Sequence, residues 1–143
     1  MPVHRLAHYS IRTRDLAASE KFYTEVMGFR VGFRPNFPFP GLWLYRDKDE
    51  SDYGVVHIIG EEEGEASGLD DYLGARAESA GTGTLDHIAF LASGWPEMRA
   101  RLRRFDIRST ERIVPTLGLL QVFLMDPSGV VIELNYPAEE AVP

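Results

Sequence analysis

The chain has 143 residues, 44% hydrophobic and 26% charged, enough for one domain of ordinary size with a buried core. It contains no cysteine, which removes disulfides, thiolate nucleophiles and Cys-held zinc or iron–sulfur centres, so any metal must be held by nitrogen and oxygen. A net charge of −7 argues against a nucleic-acid partner, and no run of about 18 apolar residues offers a membrane span.

Residues 4–12 alternate, with Leu6, His8 and Ser10 on one face and Ala7, Tyr9 and Ile11 on the other, the period of a half-buried strand. Asp15 can cap a following helix in which Leu16, Ser19, Phe22, Tyr23 and Val26 recur at helical spacing and which Gly28 closes. Three strands are predicted next, over 29–34, 42–46 and 53–59, separated by proline-rich or charged turns. This β-α-β-β-β unit makes residues 1–60 a first module. Residues 61–83 carry Glu61, Glu62, Glu63 and Glu65 with repeated glycines, and are long enough to be a lid or a linker.

The pattern restarts in a second module, residues 84–143. A strand is predicted over 85–92 and a helix over 95–105 with Met98 and Leu102 inward. Arg99, Arg101, Arg103 and Arg104, the one dense basic run, read as its solvated face. Strands follow over 107–114, 119–125 and 130–135. The sequence Asp126-Pro127-Ser128-Gly129 is a turn, since proline presets one dihedral and glycine accepts a positive one. Met1 to Arg5 carries no signal-peptide-like apolar segment, so a soluble cytoplasmic protein is expected.

The two modules repeat each other in detail. Leu6-Ala7-His8 recurs as Leu85-Asp86-His87, and Gly54-Val55-Val56-His57-Ile58-Ile59 recurs as Gly129-Val130-Val131-Ile132-Glu133-Leu134. His8 and His57 lie 49 positions apart, His87 and Glu133 46. A duplication that sets His8, His57, His87 and Glu133 at equivalent strand positions is a way to bring metal ligands to one point. Singly, a strand histidine is ordinarily a hydrogen-bonded core or surface residue. Glu133 is harder to dismiss, because a carboxylate among apolar neighbours on a central strand needs a cation or strong donors. Phe33, Phe37, Phe39, Trp43 and Tyr45 form an aromatic stretch suited to a pocket wall, or equally to core and subunit contact. Gln121 and Phe123 share one face of the seventh strand.

The run His8-Tyr9-Ser10-Ile11-Arg12-Thr13-Arg14-Asp15-Leu16, then Phe22-Tyr23, Gly28-Phe29, His87-Ile88-Ala89-Phe90 and Asp126 through Leu134, resembles the vicinal oxygen chelate superfamily. That group includes glyoxalases, small extradiol dioxygenases, fosfomycin-inactivating transferases and bleomycin-binding proteins. The resemblance implies an α+β fold, with two tandem β-α-β-β-β modules forming a U-shaped, barrel-like mixed sheet and helices outside. It also implies a homodimer and a divalent metal on His8, His87 and Glu133, with Fe(II) favoured and manganese, nickel or zinc as alternatives.

His57 decides between reactions. In glyoxalase-like members its strand carries a fourth ligand, commonly Glu or Gln, whereas in extradiol dioxygenases it carries an unligated histidine beside the oxygen site. The expectation is therefore an extradiol-type dioxygenase acting on a small catechol-like substrate with vicinal oxygens. His57 would be its catalytic residue, and Trp43, Gln121, Phe123 and Tyr136 would line the pocket. A glyoxalase-like lyase or isomerase and a non-catalytic antibiotic-binding protein are the alternatives. One departure stands out: extradiol enzymes commonly place a tyrosine where this chain has Phe123, leaving Tyr136 or Gln121 to substitute.

Overall fold

The computed structural model describes residues 6–46, 54–61, 80–83 and 85–141. Most of the expected linker or lid, 62–79, lies outside the described residues. The chain divides into two compact units, Met1–Glu78 and Ser79–Pro143. Among the described residues, no helix is long and apolar enough to cross a membrane.

In the first unit, β1 (Tyr9–Thr13) leads into α1 (Leu16–Lys21), followed by β2 (Arg30–Val31), β3 (Gly41–Tyr45) and β4 (Val56–Gly60). Asp15 caps α1 as expected, its carboxylate accepting from the Ala18 amide at 2.9 Å. The helix does not run on regularly to Gly28. Over Phe22–Val26 it widens into a π turn, with the Met27 amide bonded to the Phe22 carbonyl five residues back. That turn still buries Phe22, Tyr23 and Val26, so the predicted inward face holds while the backbone spacing changes. β2 is two residues long instead of six; the Gly32 amide still donates to the Trp43 carbonyl at 3.0 Å, and a proline-rich segment follows from Pro35.

The second unit repeats the order, with β5 (Ile88–Leu91), α2 (Trp95–Arg104), β6 (Thr110–Val114), β7 (Leu119–Met125) and β8 (Val131–Pro137). The sheet orders are β1-β4-β3-β2 and β5-β8-β7-β6. In each, the last strand of the module lies inside its sheet, parallel to the first strand and antiparallel to the third. This is the tandem β-α-β-β-β fold. The apolar sides of the sheets carry Ile11, Leu44, Val56 and Ile58 in one unit and Leu120, Val122, Ile132 and Leu134 in the other, all buried.

The pairing fixes the repeat to the residue. Ser10 pairs with His57 and Trp43 with His57; Ala89 pairs with Glu133 and Phe123 with Glu133. His57 and Glu133 are thus equivalent positions, as are Trp43 and Phe123, and Gly41 and Gln121. The Gly-Val-Val strings are one residue out of step with this register, the second module having one more residue between its glycine and its functional position.

The turn before β8 is tightly specified. Gly129 has φ +81°, and the buried Asp126 carboxylate accepts from the amides of Ser128 and Val130, both at 2.8 Å. Replacing Asp126 with Ala leaves buried amides without partners and is expected to cost about 1.5–3 kcal/mol. Asp126→Asn, which keeps an acceptor oxygen, should cost clearly less. Urea denaturation of both variants measures the difference; equal stability of Asp126→Ala and the parent would refute it.

Candidate functional site

Each unit carries its own cluster on the face of the sheet away from its helix. In the first unit His8 immediately precedes β1, where the Tyr9 amide donates to the Val55 carbonyl at 3.2 Å. Parallel pairing of β1 with β4 then sets His8 beside His57. Their rings stack with centroids 3.8 Å apart and planes 16° from parallel. Trp43, the cross-strand partner of His57 on β3, stacks on it as well, at 4.0 Å and 6°. The flanking strands lie on opposite sides of β4, so the His57 imidazole is held between an imidazole and an indole, 8% exposed.

This stack restricts what the two histidines can do together. A metal lies about 2.0–2.1 Å from an imidazole nitrogen and close to that ring's plane, along the lone pair. Two nearly parallel rings in van der Waals contact aim their lone pairs side by side rather than at one point. His8 and His57 in this arrangement do not share a metal.

The second unit is built from hydrogen bonds. Glu133 is buried, 5% exposed, on the inner strand β8. Its Oε2 lies 2.7 Å from Nε2 of His87, which immediately precedes β5 as His8 precedes β1. Its Oε1 accepts from Nε2 of Gln121 at 2.7 Å. The amide of Gln121 is oriented from behind: Arg112, its cross-strand partner on β6, donates to Oε1 from Nε at 3.2 Å and from Nη2 at 2.5 Å. An arginine has no acceptor, so it can meet only the oxygen end of Gln121, and the amide NH2 must turn to Glu133. A second bond, to Asn135 Oδ1 at 3.3 Å, completes that end. Nδ1 of His87 is 2.6 Å from Asp86 Oδ2, and the edge of Phe123 meets the His87 ring.

The donor set of the second unit fits a divalent metal. His87 Nε2 and Glu133 Oε2 converge, and the remaining polar atom of each side chain is tied to a neighbour, as oriented ligands require. Among the described residues, no group of three or more His, Asp or Glu side chains is arranged to hold a metal ion. Of the expected pocket residues, Trp43 joins the first cluster, and Gln121 and Phe123 join the second. Asp86, Arg112 and Asn135 went unread in the sequence. The first is visible as a carboxylate next to a ligand-type histidine, but the other two appear only once strand register is known.

The sequence profile of the Glyoxalase/Bleomycin resistance protein/Dioxygenase superfamily matches residues 5–134. Among solved structures, the chain is similar to a lactoylglutathione lyase from Agrobacterium tumefaciens, with 19% identity over 99% of this chain and 100% of that one and a TM-score of 0.64. It is similar to the trypanothione-dependent glyoxalase I of Leishmania major, with 24% identity over 96% and 89% and a TM-score of 0.67. A mutant of FosX, a fosfomycin resistance protein from Listeria monocytogenes crystallised with Mn(II) and 1S,2S-dihydroxypropylphosphonic acid, shows 14% identity over 94% and 93% and a TM-score of 0.65. These likenesses establish the fold. No curated protein matches the sequence.

Tyr136, expected at the pocket, is placed elsewhere. It alternates with Glu133 and Asn135 along β8 and so lies on the opposite face, 1% exposed, its ring 5.4 Å from that of buried Trp95 on α2. Burial, with Glu140 adding to it and Arg101 opposing, pushes its pKa up to about 12. In the unfolded chain the phenol titrates near about 10, so between these values the unfolded state has lost a proton that the folded state keeps. Stability should fall as pH rises from 10 to 12. Tyr136→Phe should show a smaller loss over that window, measured by urea midpoint against pH; an unchanged slope would contradict the placement.

Proposed function

The chain belongs to the Glyoxalase/Bleomycin resistance protein/Dioxygenase superfamily, and on that premise we propose that it is a metal-dependent enzyme with His8, His87 and Glu133 as ligands and His57 as an unligated proton-transfer residue. The activity we propose is extradiol-type ring cleavage of a small catechol-like substrate with Fe(II). The observation that carries this reading is the confinement of His57. Its ring is sandwiched in parallel between His8 and Trp43, which argues against its being a fourth ligand beside His8 and for a separate role.

When bound, a divalent metal supplies Lewis acidity toward a pair of vicinal oxygens and, as iron(II), redox capacity toward dioxygen. This chain's residues contribute the rest. Gln121 occupies one oxygen of Glu133 with a hydrogen bond and leaves the other for ligation. Asp86 holds Nδ1 of His87, which fixes the ring with Nε2 toward Glu133. Trp43 presents a flat apolar surface for an aromatic ring, and His57, unable to rotate between its two stacking partners, presents only its nitrogen-bearing edge. A positioned imidazole can accept a substrate hydroxyl proton and return it to product.

Phe123 favours a second reading. It supplies no hydroxyl at the position beside His87, so the proton-transfer set of a ring-cleaving enzyme is smaller here. A glyoxalase-like lyase or isomerase, which needs one base and a Lewis acid, has no requirement for that hydroxyl.

The two readings separate in one experiment on anaerobically purified protein. Ala at His8, His87 or Glu133 should each strip metal while leaving the fold intact. His57→Ala should retain metal and lower turnover by roughly 10²- to 10⁴-fold. Iron by elemental analysis together with ring-opened product from catechol in air supports the dioxygenase. Zinc or nickel with turnover of methylglyoxal and thiol moves the assignment to the lyase, and metal loss in His57→Ala overturns the unligated role.

We also propose a homodimer. Leu91 on edge strand β5 and Ile113 on edge strand β6 are 89% and 52% exposed, apolar side chains that a strand edge in a monomer would leave to aggregate. Sedimentation equilibrium at micromolar concentration should give twice 16.1 kDa; a stable monomer would rule it out.

A further inference from the structure

The register that makes His57 equivalent to Glu133 makes Gly41 equivalent to Gln121, and the first unit therefore lacks the side chain that the second uses to hold its carboxylate. Gly41 is required there. A Cβ at this position would come within 2.4 Å of the Ile58 carbonyl oxygen, and also 3.0 and 3.1 Å from Nη2 and Nε of Arg34. The space over Gly41 is thus occupied by the Arg34 guanidinium, brought in by the proline-rich segment between β2 and β3. Because Gly41, Trp43 and His57 share one face of the sheet, Arg34 lies on the face that carries the ring stack.

Its surroundings are aromatic. The guanidinium carbon lies 5.0 Å from the centroid of Phe37 and 5.2 Å from that of Phe39, and these rings stack on each other at 5.3 Å. Phe37 in turn approaches Trp43 at 6.2 Å. Among the described residues Arg34 donates one hydrogen bond, from Nη2 to the Phe39 carbonyl at 2.9 Å, and has no acidic partner. A guanidinium carries five N–H donors, and among the described residues the remaining ones have no acceptor. Partial burial lowers its pKa. In a chain of net charge −7, this is a local site for an anion.

We propose that Arg34 is the anion-recognising residue of the substrate pocket, and that the substrate is a planar aromatic carboxylate whose ring lies against the Phe37–Trp43 surface and whose carboxylate is held by the guanidinium fork. This rests on the proposed function in taking the His8–His57–Trp43 face as the substrate face. A carboxylate suits the site better than a phosphate monoester, because a single guanidinium balances one negative charge and meets two coplanar oxygens at once. The aromatic surface then discriminates for a ring over an aliphatic acid.

The test compares benzoate with benzamide, its uncharged near-isostere, by calorimetric titration of the protein as purified. Neither probe has vicinal oxygens, so the outcome does not depend on the reaction catalysed. Benzoate should bind about 10- to 100-fold more tightly than benzamide, the worth of one bidentate charge-assisted contact. Arg34→Met should equalise the two by weakening benzoate alone. If methionine disturbs the loop, judged by loss of benzamide binding, Arg34→Gln restores a donor for the Phe39 carbonyl and should equally abolish the preference. Equal binding of the two probes to the parent protein overturns the proposal, as does a preference that survives in the variants, the result expected if benzoate reached a metal instead. A catechol bearing a ring carboxylate, 3,4-dihydroxybenzoate, that is bound but never turned over by the iron-loaded protein, alongside an Arg34-dependent benzoate preference, would sink the dioxygenase reading and leave this one standing.

Discussion

A polar side chain in the middle of an inner strand has to be satisfied by its two neighbouring strands, and both sheets of this protein are organised around that demand. β4 and β8 each lie between a parallel and an antiparallel neighbour, and each carries a functional group at the same register position. Burying such a group without partners costs on the order of 1–3 kcal/mol, more if it is charged. The two units surround that group differently. His57 is a flat ring and takes flat partners, His8 and Trp43. Glu133 is an acceptor and takes donors, His87 and Gln121. The solutions are not interchangeable. With Gly41 in the place of Gln121, the first unit offers no amide to a carboxylate at position 57.

Much of the architecture is legible in the sequence because it is periodic. The alternation around Ile11 and Thr13 in β1 and the helical recurrence of Ser19, Phe22, Tyr23 and Val26 both follow from which side chains must be dry, and all six are buried. β7 falls on its expected limits because its alternating apolar residues run from Leu119 without a proline or glycine until the Asp126 turn. Boundaries fail where backbone chemistry overrides side-chain pattern. β2 is only two residues long, and a π turn widens the end of α1 while leaving its buried face intact. Neither effect is carried by hydrophobic spacing.

The candidate site is legible only in part, and for a related reason. His8, His87 and Glu133 are visible because a duplicated pattern repeats ligand-type residues, and Glu133 because a carboxylate in an apolar strand is anomalous. Tyr136 misled because its sequence neighbourhood, next to Asn135 and three residues from Glu133, says nothing until strand parity is applied; parity puts it against Trp95. Arg112 and Arg34 were invisible for the opposite reason. Each acts through a residue distant in sequence, one by cross-strand pairing with Gln121 and the other by folding back over a glycine. A charged residue in a loop or on an edge strand reads as solvated surface until register shows which face it reaches.

The duplication explains why the two halves could diverge toward different work. Each sheet surrounds its own inner-strand group with residues from its own neighbouring strands. In the second unit the spare atoms are tied to fixed partners: Gln121 donates to one oxygen of Glu133, and the Asp86 carboxylate holds Nδ1 of His87. In the first unit, stacking between His8 and Trp43 gives His57 a fixed ring orientation. The loss of a side chain at Gly41 belongs to the same divergence: it removes the donor that a ligand carboxylate would require and opens the space that the Arg34 guanidinium fills.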